Sequence, residues 1–135
     1  MKILAEISVG ELFDKITILN IKTHKIQDSE KLINIKNELN FLNNQAANIN
    51  VKDQESLNQN INKLQSINEK LWNKENYKRE CEANKDFGEI FIELSRDVHF
   101  KNDIRAQIKK ENIFIPKKAK HRVLNESAKK KLVII

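Results

Sequence analysis

The sequence predicts an all-α protein: a bundle of about five helices in one domain over residues 1–115, followed by a basic tail over residues 116–135. Two observations predict this class. The 135 residues include only two glycines and one proline, whereas β-sheet proteins use both residues in many turns. Apolar residues also recur at spacings of three and four along most of the chain, which is the period of an amphipathic helix.

The first two helices each have a start signal and an apolar stripe. Ser8 and Glu11 form the Ser-x-x-Glu pattern of a capping box, which predicts a helix over residues 9–26. Asp28 or Ser29 is expected to cap the second helix. Its apolar residues follow the alternating spacing of a coiled-coil seam: Leu32, Ile35, Leu39, Leu42 and Ala46.

The third helix is predicted to be the longest. Asp53 is expected to cap it, and the apolar pattern continues to about Ala83, which gives a length of about 45 Å. The short loop before Asp53 predicts a long antiparallel hairpin with the second helix. Because the third helix would be longer than its neighbours, it either bends or extends beyond them and packs on another surface. A second copy of the chain is the simplest candidate for that surface, which would give a homodimer through the third helix.

The remaining elements are shorter. Asp86 is expected to cap a fourth helix and Asn102 a fifth, which Pro116 would end because proline cannot continue a helix. Residues 2–7 are apolar enough for a short strand. That strand could pair with residues 122–124 or 131–135, which would form a minor β-ribbon from the two termini.

The net charge of +6 belongs to the tail. Residues 116–135 contain seven Lys or Arg side chains and one Glu, so the rest of the chain is formally neutral. A basic surface is typical of partners such as nucleic acid, and only the tail provides one. The alternative for the tail is a solvated strand edge on which lysines oppose aggregation.

The cysteine content and the hydropathy of the sequence predict the cellular location of the protein. The single Cys81 cannot form an internal disulfide, and no apolar run is long enough for a membrane span. We therefore expect a cytoplasmic protein without a membrane span. Neither a zinc-ligand spacing nor a glycine-rich phosphate loop is present in the sequence, so we predict no metal site and no cofactor.

Three groups of polar side chains are candidates for a ligand site. They would form an anion pocket if their positive charges converged, because guanidinium groups bind carboxylates and phosphates in a bidentate manner. Each group also has a structural alternative: surface pairs on a helix, a register-fixing asparagine, or a tryptophan in the core. The candidates are Asp14, Lys15 and Lys22 on the first helix, Asn68, Trp72, Glu75 and Arg79 on the third, and Arg96, Asp103 and Arg105 after it.

Several of these residues belong to motifs that resemble one family. The first motif is Ile-Ser-Val-Gly-Glu-Leu-Phe-Asp-Lys-Ile-Thr-Ile-Leu at residues 7–19. The others are Asn-Glu-Lys-Leu-Trp at 68–72, Phe-Ile-Glu-Leu-Ser-Arg at 91–96 and Asn-Asp-Ile-Arg-Ala at 102–106. Over residues 2–112 the chain resembles an uncharacterised family of small bacterial helical proteins, a domain family of unknown function. The resemblance implies a bacterial protein with a link to surface-polysaccharide metabolism, and it assigns no activity.

Three functions are consistent with the sequence. The first is a non-enzymatic interaction or regulatory protein that presents its helical surface to a protein partner. The second is a small enzyme or binding protein for an anionic metabolite, which would use the candidate residues. The third is nucleic-acid binding through the basic tail. The sequence assigns no catalytic residue and leaves open whether the protein is an enzyme.

Overall fold

A computed structural model describes residues 1, 3–51, 53–111 and 132–134. These residues form four helices: α1 (Val9–Lys25), α2 (Ser29–Ala47), α3 (Gln54–Ala83) and α4 (Glu89–Lys110). Two short strands, β1 (Ile3–Ala5) and β2 (Leu132–Ile134), lie near the ends of the chain. The predicted all-α class is confirmed. No helix in the described ranges is long and apolar enough to cross a membrane.

Three of the five predicted helix starts are confirmed by side-chain caps. The Ser8 hydroxyl accepts a hydrogen bond from the backbone N–H of Glu11 at 3.1 Å. Asp28 accepts from the first turn of α2, and Asp53 accepts from the N–H of Ser56 at 3.0 Å. Each carboxylate or hydroxyl satisfies backbone donors that have no partner inside the helix. The chain therefore enters α1, α2 and α3 where its local sequence specifies.

The prediction of separate fourth and fifth helices is wrong, because α4 is continuous from Glu89 to Lys110. Gly88, not Asp86, occupies the N-cap position. Asn102 does not begin a helix; its side-chain oxygen accepts a hydrogen bond from Arg105 one turn later, at 3.4 Å. No glycine or proline lies between residues 89 and 110. The capping preference of Asn102 alone therefore does not interrupt the helical hydrogen bonds.

The predicted hairpin of the second and third helices is replaced by a different arrangement. α2 packs along α1, whereas α3 packs along both α1 and α4. α1 can lie between the others because apolar side chains surround most of it. Its buried apolar residues are Val9, Leu12, Phe13, Ile16, Leu19 and Ile21. The 30-residue α3 extends beyond α1, and α4 packs alongside it.

The two strands bring the ends of the described chain together. β1 and β2 pair in an antiparallel ribbon, with Ile3 opposite Ile134 and Ala5 opposite Leu132. Residues 112–131 and 135 lie outside the described ranges. The predictions for residues 122–124, for Pro116 and for the basic side chains of the tail therefore concern undescribed residues.

Gly10, in the first turn of α1, is a point of close approach between α1 and α4. A Cβ atom built on Gly10 would overlap the backbone carbonyl of Lys109. Glycine is about 1 kcal/mol less favourable than alanine inside a helix, so its presence here has a packing reason. The absence of a side chain allows the backbone of α4 to lie directly against α1.

We expect Gly10→Ala to lower the free energy of unfolding by about 1–3 kcal/mol, the usual cost of forcing extra atoms into a packed contact. Urea unfolding followed by circular dichroism measures the change. Gly88→Ala is the matched control. A Cβ at Gly88 meets only the Asp86 side chain at 3.4 Å, so this variant should lose only the preference of the N-cap position for glycine over alanine, about 0.5–1 kcal/mol. Equal losses in both variants would contradict the close-approach role of Gly10.

Candidate functional site

A buried ion pair joins α1 to α4. Asp14 is 2 % exposed, and both of its carboxylate oxygens accept hydrogen bonds from Arg105. The Arg105 Nε–Asp14 Oδ1 distance is 2.9 Å and the Nη2–Oδ2 distance is 2.6 Å. This is the bidentate geometry in which guanidinium and carboxylate groups bind most strongly. The pair fixes the plane of the Arg105 guanidinium.

Asn68 connects α3 to the same pair. Its Nδ2 donates to Asp14 Oδ1 at 3.0 Å and to the Thr17 hydroxyl at 2.9 Å. The Thr17 hydroxyl in turn donates to the backbone carbonyl of Asp14 at 2.8 Å. Asp14, Thr17 and Asn68 are all buried. Three helices therefore meet at one polar network, in which the amide of Asn68 is bound to α1.

A second cation reaches Asp14 from one turn further along α4. Lys109 Nζ lies 3.6 Å from Asp14 Oδ2 and 2.5 Å from Glu11 Oε1. Two acidic and two basic side chains thus alternate along the contact of α1 with α4: Glu11, Lys109, Asp14 and Arg105. Their formal charges cancel, which limits the cost of placing Asp14 in the interior.

These contacts shift the pKa of both members of the central pair. Burial alone would raise the pKa of Asp14, but hydrogen bonds from Arg105 and Asn68, with the positive charges of Arg105 and Lys109, hold that pKa below its usual value. The hydrogen bond to Asp14 raises the pKa of Arg105, against the opposing effect of burial. Asp14 therefore remains ionised at neutral pH, and its carboxylate is occupied by donors. This arrangement suits a positioning role for Asp14 better than proton transfer.

A cleft of about 290 Å³ lies beside the network, between α1, α3 and α4. Its apolar wall is formed by Ile18, Ile21, Leu71 and Trp72. Its polar lining combines two guanidinium groups, one carboxylate and three amides: Arg79, Arg105, Glu75, Asn68, Asn76 and Asn102. The combination of an apolar wall with a few polar groups is typical of small-molecule sites.

The two arginines of the cleft differ in their surroundings. Arg105 donates hydrogen bonds from Nε and Nη2 to Asp14. Its Nη1 lies 3.4 Å from the Oδ1 atom of Asn102, which also lines the cleft. Arg79 is exposed, and within the described part of the chain no carboxylate lies within ion-pair distance of it. The guanidinium of Arg105 is thus held in position, whereas among the described residues that of Arg79 is available to pair with an anion.

The structure brings six of the ten predicted site residues together. Asn68, Trp72, Glu75, Arg79 and Arg105 line the cleft, and Asp14 lies behind Arg105. The others do not line it. Lys15 and Lys22 are half-buried elsewhere on α1. Arg96 lies by a hollow on the far side of α4, and Asp103 lies 3.9 Å from His99 and lines a groove between α3 and α4. The predicted convergence of three arginines is therefore wrong for Arg96.

The site residues predicted from the sequence lack five polar residues of the network and cleft: Glu11, Thr17, Asn76, Asn102 and Lys109. Asn76 lies four residues after Trp72, so the helical period that selected Trp72 and Arg79 could have identified it. Asn102 was interpreted as a helix cap, which concealed its position one turn before Arg105 on a continuous helix. Thr17 lies one turn after Asp14, but no pattern distinguishes it from an ordinary buried threonine.

The side chains of the network and cleft offer positive charges and hydrogen-bonding groups. Within the described ranges, no group of three or more His, Cys, Asp or Glu side chains is placed to hold a metal ion. Both acidic side chains of the network, Asp14 and Glu11, are already paired with cations. The chemistry that the cleft offers is charge pairing, amide hydrogen bonding and contact with the Trp72 ring.

We expect Asp14→Asn to lower the free energy of unfolding at pH 7 by about 3 kcal/mol, because removing one partner of a buried pair leaves the other uncompensated. The pKa of Asp14 is lowered in the folded protein, so its stabilising effect is present above about pH 4, the pKa of an unfolded aspartate. This effect disappears as the pH falls through the folded pKa. The stability difference between wild type and variant should therefore shrink on acidification, as measured by urea unfolding from pH 7 to pH 3.

Asp103→Asn is the control for this experiment. It removes the same charge from an exposed side chain of α4, and it should cost at most about 1 kcal/mol. A pH-independent difference between wild type and Asp14→Asn would contradict the role assigned to the Asp14 carboxylate.

The chain matches no protein-family model, no curated protein and no solved structure. The resemblance to an uncharacterised bacterial family consequently stays a prediction. A function for this chain has to be argued from the geometry of the cleft and of the network that supports it.

Proposed function

We propose that this chain binds a small anionic ligand, one that also carries hydrogen-bond donors, in the cleft between α1, α3 and α4. The observation that carries the proposal is the position of Arg105. One edge of its guanidinium, formed by Nε and Nη2, is held by Asp14, so the group is fixed before any ligand arrives, with Nη1 beside Asn102 of the cleft. A preoriented donor costs less conformational entropy on binding than a mobile one.

The charge of the ligand follows from the two arginines. The network of Asp14, Arg105, Lys109 and Glu11 is neutral as a unit, and the other charged side chains of the cleft are Glu75 and Arg79. Among the described residues no carboxylate lies within ion-pair distance of Arg79, so its guanidinium is available to pair with an acidic group. An acidic group on the ligand would pair with Arg79 and accept a hydrogen bond from Arg105. Carboxylates and phosphates share this chemistry.

The rest of the lining indicates what else the ligand contains. The Glu75 carboxylate accepts hydrogen bonds only, and the amide oxygens of Asn76 and Asn102 also accept them. The ligand therefore has hydroxyl or amino groups as well as its acidic group. The Trp72 ring, with Ile18 and Ile21, offers an apolar surface for the face of a ring.

The volume limits the size of the ligand. At about 290 Å³, the cleft lies at the lower end of the range for small-molecule pockets. A single-ring metabolite such as a sugar phosphate or a hydroxylated cyclic acid fits these limits. Either compound is compatible with the predicted link to surface-polysaccharide metabolism.

The other predicted functions rest on other parts of the molecule. Nucleic-acid binding depends on tail residues outside the described ranges and stays a prediction, as do the cytoplasmic location and the homodimer through α3. The interaction or regulatory function is compatible with ligand binding, because a ligand-binding bundle can also meet a protein partner. We prefer the ligand-binding proposal because five of the predicted residues line one cleft.

Fluorescence of Trp72, the only tryptophan, provides the test. We expect the emission to change on titration with glucose 1-phosphate and not with glucose. Arg79→Gln should weaken the affinity by about tenfold or more, since a hydrogen bond to a charged group contributes about 1.5–3 kcal/mol.

Lys70→Gln is the matched control, because it removes one positive charge from α3 on the groove away from the cleft. Its affinity should equal that of the wild type. Inorganic phosphate, succinate and shikimate, tested in parallel, distinguish phosphate from carboxylate recognition. If none of these anions changes the Trp72 emission or the stability of the wild type, the proposal fails.

A further inference from the structure

A row of exposed side chains runs along α4 on the side away from α1. Ile92, Arg96, Phe100 and Ile104 are spaced by four residues, so they form one continuous ridge on the helix surface. Ile92, Phe100 and Ile104 are 55 %, 54 % and 51 % exposed. We call these four residues the α4 ridge. Large apolar side chains repeated along one exposed row are typical of an interaction site.

A hollow of about 360 Å³ lies beside this ridge. It is lined by Phe91, Ile92, Ser95, Arg96, His99 and Phe100. A helix packs on another by placing its ridge in the groove beside the other's ridge. The hollow and the ridge therefore provide both halves of a helix–helix contact on the same helix.

The order of residues in the α4 ridge is self-complementary. We propose that a second copy of this chain packs on the α4 ridge, antiparallel and about a two-fold axis at the middle of the ridge. This operation places Ile92 against Ile104 of the second copy, and Arg96 against Phe100 of the second copy. The first pair buries aliphatic surface, and the second places a guanidinium on an aromatic ring, a favourable contact. An isologous contact of this kind closes as a dimer.

Charged side chains flank the ridge. Asp86, Glu89 and Glu93 lie near the start of α4, Asp103 lies beside Ile104, and Lys110 is at the end of the helix; all five are exposed. Antiparallel packing brings Asp86 of each copy near Lys110 of the other, but it also brings Glu93 of each copy near Asp103 of the other, so these side chains do not select the orientation. The helix dipoles favour it, because the positive end of each dipole then lies beside the negative end of the other. A parallel arrangement would instead place like ends of the dipoles together.

The interface lies on α4 rather than on α3, through which the sequence predicted a dimer. The apolar stripe of α3 is occupied by α1 and α4, with Leu64, Ile67 and Leu71 buried. The α4 ridge lies on the other side of α4 from Arg105, which pairs with Asp14 on α1. Dimer formation therefore does not require a ligand in the cleft.

Sedimentation equilibrium of the full chain, from low-micromolar to sub-millimolar concentration, tests the proposal. We expect the wild type to approach twice the monomer mass and Phe100→Glu to remain at the monomer mass. The control Ile33→Glu changes an apolar side chain of similar exposure on α2, 60 %, and should dimerise like the wild type. Circular dichroism verifies that both variants fold.

Disulfide crosslinking tests the orientation. In a Cys81→Ser background, Ile92→Cys and Ile104→Cys are prepared as separate proteins and mixed under oxidising conditions. We expect the mixture to crosslink and each protein alone to crosslink much less. A wild type that is monomeric throughout, a dimer unaffected by Phe100→Glu, or crosslinking of the separate proteins as strong as that of the mixture would each overturn the proposal. Because the Trp72 titration is independent, failure here leaves the ligand-binding proposal standing.

Discussion

The paired charges of Asp14 and Arg105 are the constraint on which the arrangement of the helices depends. An ionised carboxylate that is 2 % exposed is tolerated only if donors surround it, since an isolated buried charge costs many kcal/mol. Arg105 provides two hydrogen bonds, Asn68 provides a third, and Lys109 adds its charge. These donors come from α3 and α4, and the carboxylate comes from α1. The requirement to satisfy one carboxylate thus fixes how α1, α3 and α4 meet.

Gly10 makes this arrangement geometrically possible. α4 must approach α1 closely for Arg105 and Lys109 to reach Asp14 and Glu11, and a methyl group on Gly10 would overlap the Lys109 carbonyl. The same close contact brings Arg105 to the edge of the cleft. The absence of a side chain at Gly10 and the position of the Arg105 guanidinium beside the cleft therefore depend on each other. The core below them is ordinary apolar packing among Leu12, Ile16, Leu64 and their neighbours.

The fold could be predicted from the sequence where the signals are local. Ser8, Asp28 and Asp53 cap the helices that their positions predict, because an N-cap depends on residues within one turn. Helix pairing was not predictable in the same way. The seams of α2 and α3 are compatible with packing on each other, but α1 offers an apolar surface to both, and competition between surfaces cannot be inferred from a single stripe. Asn102 shows the opposite difficulty, because a local capping preference was outweighed by an uninterrupted helix.

The two buried asparagines of α3 show why the site was only partly predictable. Asn60 and Asn68 interrupt the apolar stripe in the same way and are both buried. Asn68 binds Asp14 and Thr17, whereas the Asn60 side chain has no hydrogen-bond partner within the described part of the chain. Sequence spacing places both on the core side of the helix but does not reveal which one meets a carboxylate from α1. Asn68 meets Asp14, which lies 54 positions earlier in the chain. The answer depends on how α1 packs against α3. This packing gives Asn68 its partners beside the cleft, whereas it leaves Asn60 with the cost of desolvation.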